Sequence, residues 1–488
     1  MIKKQIANTL VMIFGGTGNL TKRKLIPALY YLFEKKILKD ILIVCVARQP
    51  LNKEQFIDAL KIQEFIPDAI EEELNSFKRS IHYLSFDLTS EKHEDFAKAI
   101  SRLKEQHKTE NELFYLAIPP SVFKPAIDVI GSKIPKGKGW RRIIFEKPFG
   151  HDLASARAID EEIGNAFQEE DIYRMDHYLG KELVQNILVL RFANSIFEQV
   201  WNSKFIDHVQ IIIAEKTGVG TRSGFYDNTG ALRDMVQNHI LQILSLIAME
   251  QPKSMGAEDI RDEKMKVIKS LVPLKADELV IGQYDSGIVD GREVPSYREE
   301  LNVNKNSETE TYVALKSHIN NERWKGVPFY IRTGKRLKEH YADVNLVLKD
   351  VYCKSFSQEK VCLPLPNILN IRIQPDEGIA IHFNAKTPGY GVKLRTVAMD
   401  FCHKCEFGFN TIEAYEKLLF EVMLGDNTSF ARRDNIEANW EYIDPILDII
   451  KNKKKNFPNY KAGSFGPEEA NRLLLKDGRS WIEKKVKT

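Results

Sequence analysis

Residues 174–182 (RMDHYLGKE) bring an imidazole, a carboxylate, a phenol and cations together around one glycine. Cations bind phosphate groups, whereas a carboxylate and an imidazole can bind or deprotonate a hydroxyl. A solvated loop would not need aromatic side chains and a leucine among its charges. The stretch therefore indicates a site for an anionic ligand that carries hydroxyl groups.

The elements that must position such a site begin with alternating strand and helix patterns in the first third of the sequence. Mostly apolar strand candidates, with helical segments between them, lie at residues 9–14, 41–46, 81–86, 113–118 and 142–145. Such an alternation is typical of a parallel sheet that is covered by helices on both faces. We therefore predict an N-terminal α/β domain at residues 1–180, with a Rossmann-like, doubly wound parallel sheet.

The pattern changes after about residue 180. Residues 205–214 are a strand candidate, and residues 229–249 form a helix whose second half is apolar on nearly every side. Strand-like runs follow one another from 310 to 405, and residues 411–424 have the spacing of an amphipathic helix. We predict a larger C-terminal α+β domain at residues 181–488, with a big, mostly antiparallel sheet.

A glycine-rich turn follows the first strand at the start of a helix. Its backbone can approach a pyrophosphate, and the helix N-terminus presents free N–H groups with a partial positive charge. The spacing is not a strict GxGxxG, so a plain tight turn is the alternative. Its position in a βαβ unit favours a dinucleotide site formed by Gly15, Gly16, Thr17, Gly18, Asn19 and Leu20.

The end of the second strand discriminates between cofactors. It reads Ala47-Arg48-Gln49, with no carboxylate before Glu54 to hold the ribose 2′-hydroxyl of NAD. An arginine in this place pairs with a 2′-phosphate, although a surface arginine is the alternative interpretation. We predict that Arg48 and Gln49 bind NADP, and that NAD serves at most as a weaker or second acceptor.

Composition excludes several classes of function. A formal charge of +3 on 488 residues argues against nucleic acid as a partner. No apolar run approaches the roughly 20 residues that a membrane span requires, and the N-terminal apolar run is too short for a signal peptide. We expect a cytoplasmic protein that binds neither nucleic acid nor a membrane.

The cysteines include one spacing that requires weighing, Cys402-His403-Lys404-Cys405. A structural zinc site would need two further ligands, and the nearby thiols are those of Cys353 and Cys362. The flanking residues 397–401 have the pattern of a strand, on which residues three apart face opposite ways. We therefore expect no metal.

Taken together, the motifs resemble the glucose-6-phosphate 1-dehydrogenase family. The resemblance runs from about residue 9 to 482, in order and at the family's spacing. It is carried by residues 15–25 (GGTGNLTKRKL), 146–150 (EKPFG), 174–182, 233–239 (RDMVQNH), 326–335 (GVPFYIRTGK), 465–467 (FGP) and 473–481 (LLLKDGRSW). It implies oxidation of C1 of glucose 6-phosphate to 6-phosphoglucono-δ-lactone with hydride transfer to NADP, the first step of the oxidative pentose phosphate pathway.

The resemblance also implies roles for individual residues. His239 falls on the general base that removes the C1 hydroxyl proton, and Asp176 on the carboxylate that orients it. Without the resemblance, a histidine that leads into a buried helix is more often a core residue. The implied substrate ligands are Lys147, His177, Tyr178, Lys181, Glu215, Asp234 and Lys335. Lys24 faces the site from the first helix, Lys147 lies between cofactor and substrate, and Lys147–Pro148 is a candidate cis peptide.

Two departures from the family pattern stand out. Asn19 replaces an aspartate that is usual beside the cofactor. His340 occupies the position of a second cation, five residues after Lys335. If His340 binds the phosphate, it does so only when protonated, and substrate affinity then falls as the pH rises through about 6 to 7.

Family members form homodimers or homotetramers through their large sheet and work without metal. Two alternatives remain. One is a related hexose or sugar-phosphate dehydrogenase on the same scaffold, and the other is a catalytically silent NADP sensor. The presence of both Asp176 and His239 favours an enzyme, and Lys181 with Lys335 favours a phosphorylated sugar.

Overall fold

The strands form two large sheets, one in each of the two units into which the chain divides. The computed structural model describes residues 5–90, 93–350, 365–390, 393–408 and 412–483. The first unit contains the described residues up to Gly180, together with Ser254–Arg261 and Ile412–Glu437. The second contains those of Lys181–Lys253 and Asp262–Thr411, and those from Ala438 onwards.

The first unit has a six-stranded sheet in the order β3-β2-β1-β4-β5-β6. Every neighbouring pair is parallel, as the apolar strand candidates predict. The order reverses between β1 and β4, which is the position where such sheets bind nucleotides. The strands are β1 (Ile6–Phe14), β2 (Leu38–Ala47), β3 (Ile81–Ser85), β4 (Asn111–Leu116), β5 (Arg141–Glu146) and β6 (Ile172–Met175).

The second unit has an eight-stranded sheet in the order β17-β16-β15-β14-β7-β13-β12-β8. Its pairs are antiparallel except for β13 and β7, which run parallel. The strands of this sheet are β7 (Ile206–Ala214), β8 (Leu279–Gly282), β12 (Tyr312–His318), β13 (Pro328–Gly334), β14 (Tyr341–Leu348), β15 (Ile368–Gln374), β16 (Gly378–Lys386) and β17 (Leu394–Cys402). Short ribbons pair β9 (Tyr284–Asp285) with β18 (Tyr460–Lys461), and β10 (Gly287–Val289) with β11 (Arg292–Val294).

Helices occupy much of the remaining described chain. The α-helices are α1 (Ile26–Glu34), α2 (Lys53–Leu60), α3 (Ile62–Phe65), α4 (Glu71–Arg79), α5 (His93–Gln106), α6 (Phe123–Ser132), α7 (Leu153–Gly164), α8 (Glu182–Phe192), α9 (Ser195–Glu198), α10 (Ser223–Tyr226), α11 (Leu241–Ala248), α12 (Ala257–Lys269), α13 (His403–Phe407), α14 (Ala414–Leu424), α15 (Arg433–Asn452) and α16 (Glu468–Leu475). Short 3-10 turns lie at Pro120–Val122, Glu169–Asp171, Gly220–Arg222, Ala276–Glu278 and Tyr297–Glu299. None of the helices in the described part of the chain combines the length and apolar content that a membrane span needs.

Two helical segments are π-helices, which the sequence does not reveal. Thr21–Leu25 leads into α1, and Leu232–Ile240 leads into α11. Each carries residues of the predicted site, and π-helical turns are frequent at functional sites. The apolar helix predicted at residues 229–249 is therefore present, with its first half wound more widely than an α-helix.

The helix α14 packs into the core of the first unit although it lies late in the chain. Leu418, Leu419 and Val422 are almost fully buried there, among side chains of α1 and the six-stranded sheet. The amphipathic pattern at 411–424 correctly predicts a helix, which begins at Ala414. The pattern does not indicate which part of the protein the helix packs against.

Candidate active site

The glycine-rich turn lies at the topological switch point of the first sheet. Gly15 follows β1 with φ +90°, and a Cβ atom there would lie 2.1 Å from the Ala117 carbonyl oxygen at the end of β4. A Cβ at Gly16 would lie 2.7 Å from the Cβ of Cys45. Only glycine fits these two positions, because any side chain would collide with the neighbouring strands.

The helix that leaves this turn begins with the segment predicted to bind phosphate. The Gly18 N–H donates to the Gly15 carbonyl at 2.9 Å, and the Thr21 hydroxyl donates to the same oxygen at 3.0 Å. Thr17 is half-buried within the turn and Asn19 is exposed, while Leu20 packs against the core. Lys24, one turn further on, forms an ion pair with Glu413.

Arg48 and Gln49 lie just past the end of β2, as predicted. Both are exposed, and their backbone is held by β3: the Tyr83 hydroxyl donates to the Gln49 carbonyl at 2.6 Å. The Ser85 hydroxyl donates to the Arg48 carbonyl at 3.4 Å. These hydrogen bonds hold the backbone of Arg48 in place, and the exposed side chain extends from it into solvent.

Glu146 and Lys147 mark the end of β5. The Lys147–Pro148 peptide is cis, which confirms the prediction. The Glu146 carboxylate accepts hydrogen bonds from the Tyr115 hydroxyl at 2.6 Å and from the Tyr415 hydroxyl at 3.1 Å. Burial raises the pKa of the Glu146 carboxyl, although both hydrogen bonds act in the opposite direction.

The stretch at 174–182 begins with the last two residues of β6, continues as a turn and ends at Glu182, the first residue of α8. Asp176 is 2% exposed, and its carboxylate accepts a hydrogen bond from the Tyr178 N–H at 2.9 Å, which fixes its orientation. The His177 ring stacks on Tyr415 with 6.4 Å between centroids. A Cβ at Gly180 would lie 2.7 Å from Leu418, so α14 approaches the turn too closely for a side chain.

Arg174, by contrast, has a structural role. Its guanidinium is almost fully buried and donates to Asp160 at 2.5 Å and to Glu169 at 2.6 Å. With two carboxylates already bound, this cation anchors the end of the first sheet. The sequence stretch thus divides between a buried ion pair and the candidate ligands that follow it.

Four neighbouring strands of the second sheet bring predicted substrate ligands to one edge. Glu215 directly follows β7 and its N–H donates to the Gly334 carbonyl at 3.0 Å, while its carboxylate accepts from the Lys335 ammonium at 2.7 Å. Tyr341, the first residue of β14, pairs with Ala214, the last residue of β7, so His340 precedes β14 at the same end of the sheet at which Glu215 follows β7. His340 is exposed. We call this the ligand edge of the sheet.

Lys181 reaches the same edge from the start of α8. Its ammonium group donates to the side-chain oxygen of Gln374 at 2.7 Å, and Gln374 is the last residue of β15. The strand β15 is the neighbour of β14, where His340 lies. The ligand edge therefore brings two lysines and a histidine to the ends of adjacent strands, as an anionic substrate requires.

Asp234 and His239 lie on the π-helix that packs against β13. They are 7% and 1% exposed. The i→i+5 hydrogen bonds of a π-helix widen each turn, so residues five apart lie closer to one face than they do in an α-helix. Asp234 and His239 are five apart, and both lie within the π-helical segment.

Several contacts of the predicted residues were not anticipated from sequence. Gln374 holds Lys181, Tyr226 places its ring 5.1 Å from the Lys335 ammonium, and Tyr415 contacts both Glu146 and His177. Gln374 ends β15, within the region of strand-like runs, and carries no motif that predicts a role in the site. Tyr415 belongs to the apolar face of an amphipathic helix, so its pattern indicates only burial.

The expectation for the CxxC spacing was wrong in its geometry. The strand β17 ends at Cys402 and α13 begins at His403, so the two thiols do not face opposite ways. Cys402 and Cys405 form a disulfide. Cys353 and Cys362 lie outside the described residues.

Comparisons with known proteins agree with the resemblance. The family model "Glucose-6-phosphate dehydrogenase, NAD binding domain" matches residues 12–186, and "Glucose-6-phosphate dehydrogenase, C-terminal domain" matches residues 188–482. Glucose-6-phosphate 1-dehydrogenase of Bacillus subtilis is 42% identical over 99% of both chains. The corresponding protein of Aggregatibacter actinomycetemcomitans is 44% identical over 97% of both.

A solved structure is similar over nearly the whole chain. It is that of a glucose-6-phosphate dehydrogenase in complex with its substrate glucose 6-phosphate, 34% identical, with a TM-score of 0.89. The match covers 99% of this chain and 100% of that one. On the sequence match to both domain models and to full-length relatives, the chain belongs to the glucose-6-phosphate dehydrogenase family.

Proposed function

We propose that this chain oxidises C1 of D-glucose 6-phosphate to 6-phospho-D-glucono-1,5-lactone, with NADP⁺ as the hydride acceptor. The observation that carries the proposal is the ligand edge, where Glu215, Lys335 and His340 lie next to the ends of three adjacent strands and the Lys181 ammonium contacts the end of a fourth, β15. The cations there suit a phosphate group. The carboxylates suit sugar hydroxyls, because an ionised carboxylate is purely a hydrogen-bond acceptor and a hydroxyl can donate to it.

His239 is the proposed general base, which takes the proton from the C1 hydroxyl. A base with a pKa near neutrality suits this step, and loss of the proton makes departure of the C1 hydride easier. Asp176 is the proposed carboxylate that orients the imidazole and stabilises the imidazolium. Its fixed hydrogen bond from the Tyr178 N–H supports that role, since a carboxylate that orients another group must itself be held.

The remaining residues bind and orient the substrate in this proposal. His177, Tyr178 and Lys181 hold the phosphate, with Lys335 near both sugar and phosphate. Glu215 and Asp234 accept hydrogen bonds from sugar hydroxyls. His340 contributes a cation only when it is protonated, and the exposed Lys338 two residues earlier offers a permanent charge nearby.

The first unit has the features that a dinucleotide needs. When bound, NADP⁺ supplies the hydride acceptor. Gly15 and Gly16 pack closely against the neighbouring strands, which makes the turn tight. A pyrophosphate can then approach the backbone of the turn and the N-terminus of the helix that follows it. Arg48 is the proposed ligand of the 2′-phosphate, and Lys147 is proposed to lie between cofactor and substrate.

The substrate assignment is tested by following NADPH formation with glucose 6-phosphate and with glucose. Two cations at the ligand edge, each worth about 1.5–3 kcal/mol in charge-assisted hydrogen bonds, predict a preference of about 100-fold or more for the phosphorylated sugar in kcat/KM. Lys181→Met should reduce that preference. Equal rates with glucose would favour a free-hexose dehydrogenase, and no NADPH with either sugar would favour a sensor.

The proposal extends to assembly and location. The outermost strand β17 is nine residues long and carries the exposed side chain of Met399, which suits pairing of copies through the large sheet. We propose a homodimer or homotetramer in the cytoplasm. A monomer mass in light scattering at assay concentrations would contradict the proposed oligomer. Recovery outside the cytoplasmic fraction would contradict the proposed location.

A further inference from the structure

The helix that carries Asp234 and His239 needs hydrogen-bond acceptors at its first turn, because its first N–H groups have no partner within the helix. Glu310, two residues before the start of β12, supplies two. The Ala231 N–H donates to the Glu310 carbonyl at 3.0 Å, and the Leu232 N–H donates to its carboxylate at 3.1 Å. Glu310 is 6% exposed, so water does not compete for these bonds.

Gly230 makes this contact sterically feasible. Its φ is +73°, and a Cβ there would lie 2.3 Å from one oxygen of the Glu310 carboxylate. Both observations require glycine, since a side chain would strain the backbone and displace the carboxylate. Gly230 and Glu310 therefore form one matched unit at the start of the helix.

The residues on either side of Glu310 extend the same connection. The Thr309 hydroxyl donates to the Asp227 carbonyl at 2.5 Å. On the other side, the Thr311 carbonyl accepts from the Lys335 N–H at 3.0 Å. The Tyr460 hydroxyl donates to the Lys335 carbonyl at 2.8 Å. The same hydroxyl is also hydrogen-bonded to the Thr311 hydroxyl. Glu310 and Thr311 thus join the start of the helix to Lys335 after β13, and Thr309 joins the same segment to the end of α10.

We propose that Glu310 is a positioning residue: through the N–H of Leu232 it sets Asp234 and His239 at a fixed distance from Glu215 and Lys335 at the ligand edge. The inference rests on the proposed function, because it assumes that these four residues act on one substrate. Glu310 itself touches no reacting atom. It acts through the helix, and neither the family motifs nor the predicted substrate ligands include it.

Substitutions of Glu310 can separate the effect of its hydrogen-bond acceptor from the effect of its negative charge. The amide of glutamine has nearly the shape of the Glu310 carboxyl and differs from a carboxylate in its lack of charge. Glu310→Gln keeps an oxygen that can accept from Leu232, whereas Glu310→Ala removes the acceptor. Glu310→Asp keeps the carboxyl but withdraws it by one methylene, and it remains informative if the alanine variant fails to fold.

The matched control is Asp152→Ala. Asp152 caps α7 in the first unit by accepting from the Ser155 N–H at 2.8 Å, and that helix carries none of the predicted site residues. Its loss removes a helix cap of the same kind. A purely structural role for Glu310 would give both alanine variants the same pattern: a lower Tm with wild-type kinetics.

The experiment measures Tm, kcat and both KM values with glucose 6-phosphate and NADP, well below every Tm. For Glu310→Ala and Glu310→Asp we expect kcat to fall about 10-fold or more, since a displacement near 1 Å can cost about 100-fold, with KM for NADP unchanged. Glu310→Gln should stay within about threefold of the wild type, since its amide oxygen still accepts. Wild-type kcat in Glu310→Ala or Glu310→Asp, or equal loss in Glu310→Gln and Glu310→Ala, would overturn the proposal. An inactive wild type would instead refute the proposed function.

Discussion

Replacing Arg48 by alanine is expected to weaken NADP without disturbing the sheet that carries the residue. The side chain is exposed, and the backbone at 48–49 is held by hydroxyl groups of β3 whatever side chain is present. Arg48 interacts weakly with Asp87, whose pKa is lowered mainly by hydrogen bonds from Thr89 and to a smaller extent by Arg48. No buried contact is lost, so the fold should be unchanged.

The size of the effect follows from the exposure of the side chain. Charge-assisted hydrogen bonds are worth about 1.5–3 kcal/mol, and an exposed guanidinium is at the lower end of that range because water and salt screen it. About 1.4 kcal/mol corresponds to a tenfold change in binding. We therefore expect Arg48→Ala to raise KM for NADP about 10-fold, with KM for NAD changed less than about twofold, because NAD has no 2′-phosphate.

The assay is initial-rate kinetics with saturating glucose 6-phosphate and either cofactor. Arg79→Ala is the matched control, because it removes one exposed positive charge from the end of α4 in the same unit. Higher salt should reduce the difference between wild type and Arg48→Ala, since it screens an exposed charge. Equal loss for NADP and NAD, or equal effects of both variants, would refute the reasoning.

Three further predictions follow from the described contacts. Lys335→Met should raise KM for glucose 6-phosphate about 10- to 100-fold, because the proposed charge-assisted hydrogen bond between the Lys335 ammonium and the substrate, worth about 1.5–3 kcal/mol, is lost. KM for NADP should be unchanged. An unchanged KM for the sugar in initial-rate kinetics would contradict this prediction. Burial, with smaller contributions from Lys53 and His107, lowers the pKa of His82 to about 4. The stability that its neutral form contributes is complete above the reference pKa of about 6.5 and is lost as the pH falls towards 4. Tm should therefore decline less between pH 7 and 5 in His82→Gln than in the wild type, and parallel declines would argue against this. Finally, alkylation followed by mass analysis should label Cys402 and Cys405 only after reduction, and labelling of both without a reductant would disprove the disulfide.

Much of the fold could be predicted because its signals are local. Continuous apolar runs locate the parallel strands, and Gly15 and Gly16 locate the switch point, since close backbone approach requires glycine there. The roles of His239 and Asp176 could not be derived from their neighbours, because a histidine in a buried helix and an aspartate in a turn have ordinary structural explanations. Only the resemblance to a family assigned them.

What the sequence did not reveal depends on contacts between distant residues. Gln374 meets Lys181 across 193 positions, and Tyr415 meets Glu146 across 269. The π-helical winding at Leu232–Ile240 was also not indicated by the sequence pattern, which predicted only a helix. The CxxC geometry was mispredicted because a strand ends at Cys402 without a glycine or proline to mark the end.

We propose His239 as the base for oxidation of glucose 6-phosphate, and His239→Asn tests that role most directly. Asparagine keeps a polar side chain on the same helix but cannot accept the C1 proton at neutral pH. We expect kcat to fall about 100- to 10,000-fold, the range of general base catalysis, with the Kd for glucose 6-phosphate changed less than about threefold. A variant that retains wild-type turnover, or a wild type that forms no NADPH, would contradict the account.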